Sequence, residues 1–311
     1  MIASFFATLP IFAIIGAGWL LRASGIAQDE AAREMNRFVV YLALPALLFR
    51  IIGDTDPHLL WDTGFFLCFT GGSLIAMALG IGIARWTGAP FANAALDGLN
   101  AGYANTGFLG FPLMLATLGP WTQPMTLVAS MVTICGLFAL AMALVEAGLA
   151  RDKPWTMVAR GIGLAILKNP VVLAPALALA MAMRGWHLPA PAHHFIDLLG
   201  QAASPCALVS LGLFLANRHE GTASRDGGLT AIMVAVKLLF QPLAVFALCR
   251  AFGLSGPMTT CATLLAALPT GTGPFMLAEL YAINRTRTAR IILASTLGSI
   301  VTVPLLFHWL G

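Results

Sequence analysis

Charge is what this chain has least of. Only 10% of its 311 residues are Asp, Glu, Lys or Arg, where soluble domains carry roughly 25%. With 59% hydrophobic residues and a mean hydropathy of +0.87, an ordinary soluble domain is excluded. Cysteine is scarce as well. Cys68, Cys135, Cys206, Cys249 and Cys261 fall inside apolar runs and form no CxxC pair. They read as small apolar filler, with neither a disulfide framework nor a metal site indicated. HExxH, GxSxG, paired intramembrane Asp and a cofactor loop are all missing, which sets a membrane enzyme aside.

What is present is a series of apolar runs. A membrane span needs about 20 apolar residues, so the chain has room for about ten helices joined by short loops. The expected spans are 3–21, 36–52, 62–85, 91–117, 122–149, 169–185, 193–217, 228–251, 257–281 and 287–310, the fourth and ninth discontinuous. This is an all-α polytopic membrane protein. The first segment has no positive n-region, and its first arginine, Arg22, follows the apolar run. It reads as a retained helix, not a signal peptide.

Basic residues set the expected orientation. Arg22, Arg33, Arg37, Arg85, Arg151, Lys153, Arg160, Lys168, Arg218, Arg225, Arg285, Arg287 and Arg290 lie on one side, against Arg50, Arg184 and Arg250 on the other. The positive-inside rule then places both termini outside the cytoplasm of a cell inner (plasma) membrane. The same asymmetry explains the net charge of +4 without any nucleic-acid partner. The basic connection 150–168 divides residues 1–149 from residues 169–311, five expected spans in each. Its Pro154–Lys168 part reads equally as an amphipathic surface helix or a plain linker.

The two halves repeat features in order. Leu44-Pro45-Ala46 matches Ser204-Pro205-Cys206, and Gly88-Ala89-Pro90 matches Ser255-Gly256-Pro257. Tyr103–Leu113, YANTGFLGFPL, matches Leu268–Met276, LPTGTGPFM. An odd number of spans per repeat makes the halves run in opposite directions, an inverted repeat. Glycine permits positive φ, and proline removes an N–H donor and clashes with the preceding turn. Gly107, Gly110 and Pro112 therefore break the fourth span, and Pro269, Gly271, Gly273 and Pro274 break the ninth. Unpaired backbone at membrane depth is tolerated where it lines a cavity or is buried in protein. Half-helix N-termini at such a crossing suit an anion.

The side chains near the breaks are neutral hydrogen-bonding groups: Asn100, Asn105, Thr106, Thr270 and Thr272, with Gly107, Pro269 and Gly271 supplying backbone. No charged residue lies between Gly98 and Val145 or between Ala251 and Ala278. Lys237 and Asp97 are the intramembrane charges, at similar expected depths. An ion pair between them, a role for Lys237 toward an anion, and simple snorkelling all stay open. Glu146 and Glu279 read as solvated at helix ends, and His193, His194 and Asp197 as part of an outer connection.

At Asn36–Phe49 (NRFVVYLALPALLF), Asn105–Leu113 (NTGFLGFPL), Lys168–Pro175 (KNPVVLAP) and Ala267–Tyr281 (ALPTGTGPFMLAELY) the chain resembles the auxin efflux carrier family. That family includes plant PIN-type carriers and bacterial permeases for malonate- or malate-like acids. The short loops resemble the bacterial branch. The resemblance implies a five-plus-five inverted repeat like that of bile-acid sodium symporters. It also implies a dimerising scaffold of spans 1, 2, 6 and 7, and a moving domain of spans 3–5 and 8–10. Asn105 and Pro269–Gly271 would fall at the crossing of spans 4 and 9. Plant carriers have proline just before that asparagine; here it is Ala104. The function this implies is secondary transport of a small organic anion by an elevator-like cycle. No cofactor is expected; H+ and Na+ both stay open as coupling ions. Sodium-coupled symport and a receptor or channel are the alternatives.

Overall fold

The computed structural model describes residues 2–28, 30–53, 62–150, 170–186, 188–216 and 227–310. The expected linker from residue 151 onward, with its surface-helix segment, lies outside these residues. The described residues form helices throughout: α1 (Ile2–Ala23), α2 (Ala31–Gly53), α3 (Thr63–Trp86), α4 (Phe91–Gly102), α5 (Thr106–Thr117) and α6 (Pro120–Leu149). After the linker come α7 (Pro170–Met183), α8 (Ala190–Ala216), α9 (Gly227–Ala251), α10 (Gly256–Ala267), α11 (Gly273–Tyr281) and α12 (Arg285–Leu310).

Six of these, α2, α3, α6, α8, α9 and α12, are long and apolar enough to cross a membrane. The protein is therefore a multi-pass membrane protein, with fewer unbroken spans among the described residues than the ten expected. The expected spans 91–117 and 257–281 are each split, into α4 and α5 and into α10 and α11. The expected span 169–185 is the 14-residue α7.

Local sequence accounts for the starts and irregularities. Asp62 caps α3, its carboxylate accepting from the Phe65 N–H at 2.8 Å. Pro257 sits in the first turn of α10, where a missing N–H costs nothing. Wider π turns occupy Val39–Ala43, Thr106–Gly110, Val132–Leu137 and Val236–Phe240, and three of these four end two residues before a proline: Pro45, Pro112 and Pro242. A proline deletes one ladder bond, and a π turn absorbs the resulting mismatch in the helix.

Packing falls into two sets. In one, α8 lies against α1 and α2, and α7 against α2. In the other, α3 packs on α4 and α9, α6 on α4, and α10 on α9 and α12. The first set depends on small residues at close backbone approach. A Cβ added to Gly212 would sit 2.1 Å from the Ile15 carbonyl oxygen, and one on Gly18 would sit 2.3 Å from that of Val209. Without water to drive helices together, such close van der Waals contact is what membrane helices use for association.

Candidate functional site

The two broken stretches meet. Ala104 and Thr270 form an isolated antiparallel bridge. The Asn105 N–H donates to the Pro269 carbonyl at 2.9 Å, and the Gly271 N–H donates to the Tyr103 carbonyl at 3.1 Å. Each break thereby satisfies the other's backbone, as buried polar groups in lipid require. Glycine is needed because the Tyr103 ring lies across the second break. A Cβ on Gly273 would be 2.4 Å from that ring, and one on Gly271 2.9 Å.

A cavity of about 320 Å³ opens beside the bridge. Its wall from the breaks is Tyr103, Ala104, Asn105, Gly107, Phe108, Thr272 and Met276. The facing wall is built by Leu44, Leu47 and Arg50 of α2 and by Gln201, Ser204 and Pro205 of α8. α5 begins at this cavity, and the first N–H groups of a helix have no partner within it. Among the residues lining the cavity, Arg50 alone carries a charge. Its guanidinium pairs with Asp197, whose other carboxylate oxygen accepts from Gln201 Nε2 at 2.6 Å. A larger depression of about 640 Å³ at Trp121, Phe246, Arg250 and Trp309 contains no residue of either break. Its aromatic rim is ordinary for a membrane interface, so the smaller cavity, with its converging polar groups, is the candidate site.

The residues singled out in the sequence divide into two groups. Asn105, Gly107 and Thr272 line the cavity. Asn100, Thr106, Pro269, Thr270 and Gly271 are buried behind it and engaged structurally. Thr270 Oγ1 donates to the Asn100 carbonyl at 2.9 Å, and the Thr270 N–H to Ser295 Oγ at 3.1 Å. Asn100 Nδ2 donates to Thr288 Oγ1 at 3.0 Å, and Thr106 Oγ1 to Thr133 Oγ1 at 3.4 Å. Their hydroxyl and amide groups hold the crossing together.

The charged pairs also differ from expectation. Asp97 is fully buried and pairs with Arg287 at 2.6 Å, not with Lys237. Lys237, equally buried, donates to the Ala266 carbonyl at 2.8 Å. Similar depth is not similar direction: Asp97 faces α12, and Lys237 faces the end of α10. Glu279 is buried and contacts Arg285 at 3.4 Å, while Glu146 accepts from the Tyr281 hydroxyl at 2.6 Å. Neither is a freely solvated helix-end charge. His193, His194 and Asp197 belong to α8, which starts at Ala190.

A family profile described as "Membrane transport protein" matches residues 3–146 and 151–307 of the chain. The chain belongs to the auxin efflux carrier family. It is 32% identical over 306 residues to the "Putative malonate transporter" of Rhizobium meliloti, covering 96% of this chain and 93% of that one. It is 28% identical over 309 residues to the "Uncharacterized transporter YfdV" of Escherichia coli K12, covering 96% and 94%. It is 23% identical over 363 residues to the "Probable auxin efflux carrier component 5c" of Oryza sativa subsp. japonica, covering 97% and 95%. Family members of this kind are membrane transporters, not enzymes. The sequence reading of this auxin efflux carrier family member missed Arg50 and Gln201 as cavity residues. The available signal was a lone arginine in the last turn of a proline-containing span, placed there among the outer-side basic residues.

Proposed function

We propose that this protein is a secondary carrier of a small organic anion, with a malonate-sized dicarboxylate as the best-fitting class. The observation that carries this reading is the cavity joining Asn105, Gly107 and Thr272 at the crossing to the guanidinium of Arg50 on α2. One carboxylate would take bonds from the Asn105 side-chain amide and the Gly107 and Phe108 N–H groups of α5, the Thr106 N–H being given to the Ala104 carbonyl, at a helix start whose dipole favours negative charge. The other would take the edge of Arg50 that Asp197 leaves available, since a guanidinium has five donors. The malonate named for the Rhizobium meliloti relative has this chemistry.

The two packing sets support an elevator-like cycle. The set of α1, α2, α7 and α8 would be the scaffold, and the set carrying both breaks would move with the substrate. The antiparallel sense of the Ala104–Thr270 bridge favours an inverted repeat. The same reading includes a scaffold-mediated homodimer in a cell inner membrane, with both termini outside the cytoplasm.

Asn105→Ala tests the assignment at the crossing. A lost hydrogen bond to a charged group costs roughly 1.5–3 kcal/mol, or about 10- to 100-fold in affinity. Thermal stabilisation of the detergent-purified protein by its preferred acid should therefore disappear for Asn105→Ala at concentrations that saturate the unmodified chain. Undiminished stabilisation would remove Asn105 from the site. Counterflow in proteoliposomes, with internal unlabelled acid driving labelled uptake, separates a carrier from a channel.

A further inference from the structure

Discontinuous helices in transporters commonly ligate a coupling cation with the carbonyls at the C-terminal ends of their half-helices. Here one carbonyl at each of those ends is met by a side-chain donor from α9. The Ala266 carbonyl, in the last turn of α10, accepts from Lys237 Nζ at 2.8 Å. The Gly102 carbonyl, ending α4, accepts from Gln241 Nε2 at 2.9 Å, and the same amide reaches Ser73 Oγ at 3.0 Å. The carbonyls of Asn100, Tyr103 and Pro269 are taken by Thr270 Oγ1, the Gly271 N–H and the Asn105 N–H. Lys237 and Gln241 are one turn apart on α9, so one helix face caps both half-helices.

Lys237 has no exposed surface, and among the described residues its one hydrogen-bond partner is that carbonyl. Asp97, a buried carboxylate, is paired with Arg287. The negative pole facing Lys237 is therefore the end of the α10 dipole, worth about half an elementary charge. Resting on the crossing as the transport site, we propose that Lys237 is a tethered cation filling the seat that a coupling Na+ would take, which makes the carrier indifferent to alkali cations.

The test compares melting of purified protein, and uptake of malonate into proteoliposomes, in sodium, potassium and choline chloride at equal ionic strength. The unmodified chain should behave alike in all three. Lys237→Ala, which vacates the seat, should melt lower in choline and regain several degrees in sodium chloride. Lys237→Met, which fills the volume without a charge, should show no such recovery. Stabilisation of the unmodified chain by Na+ over choline, or loss of uptake without Na+, overturns the proposal. So does Lys237→Ala with the same melting temperature in every salt. If Lys237→Ala yields no folded protein, the unmodified chain decides by the same criteria. Melting needs no transported substrate, so this outcome is readable even if malonate is not carried.

Discussion

Replacing Arg50 by glutamine is expected to lower dicarboxylate uptake roughly 10-fold, the loss of one charge-assisted hydrogen bond at a guanidinium that stays 30% exposed. Arg50 alone is charged among the residues lining the cavity, and glutamine offers a donor there without a charge. Its pairing with Asp197 sharpens the test through a difference in sign. Asp197→Asn keeps a hydrogen-bonding partner for Arg50 and removes the competing negative charge, so apparent affinity for the dicarboxylate should rise. A merely structural Arg50–Asp197 pair would make both variants worse together. The discriminating measurement is therefore KM for a mono- and a dicarboxylate in both variants. Equal losses for both classes of acid would place Arg50 outside the substrate site.

Gly212→Ala should prevent α1 and α8 from docking, lowering stability by about 3 kcal/mol. The added Cβ would lie 2.1 Å from the Ile15 carbonyl oxygen and 3.0 Å from the Cα of Gly18. These are backbone atoms, so no rotamer change relieves the clash and the two helices must move apart. Gly16→Ala on α1 is the internal control, since nothing lies within 4 Å of its added Cβ. Loss of the monodisperse peak and of thermal stability in detergent for Gly212→Ala, with Gly16→Ala unchanged, is the expected pattern. Equal behaviour of the two variants would show that the close approach contributes little.

The places where the chain breaks were legible because glycine and proline act locally, through φ and a missing donor. That the breaks pair was suggested by their matching positions, but which residues pair depends on register. Ala104, of interest in the sequence only as a departure from plant carriers, sits directly opposite Thr270. Which neutral groups face the cavity was not legible. Asn100, Asn105, Thr106, Thr270 and Thr272 have similar chemistry, and the irregular path of the second break, outside any helix, sends Thr270 into the interior and leaves Thr272 at the cavity. Charge partners were not legible either. Depth along a span can be counted from sequence, whereas Asp97 meeting Arg287 depends on how α12 returns past α4.

The bridge between the breaks is also built to stay short. On one side the next ladder bond would need an N–H from residue 269, which is proline and has none. On the other it would need the Tyr103 N–H, already given to the Leu99 carbonyl at 2.9 Å. Two extended segments lying antiparallel would otherwise be free to zip into a ribbon, consuming the amides around them and fusing two half-helices into a rigid hairpin. Stopped at both ends, the contact works as a single rivet: it fixes where the segments cross and leaves the backbone just beyond it to other partners, the Thr106 N–H to the Ala104 carbonyl and the Gly102 carbonyl to Gln241.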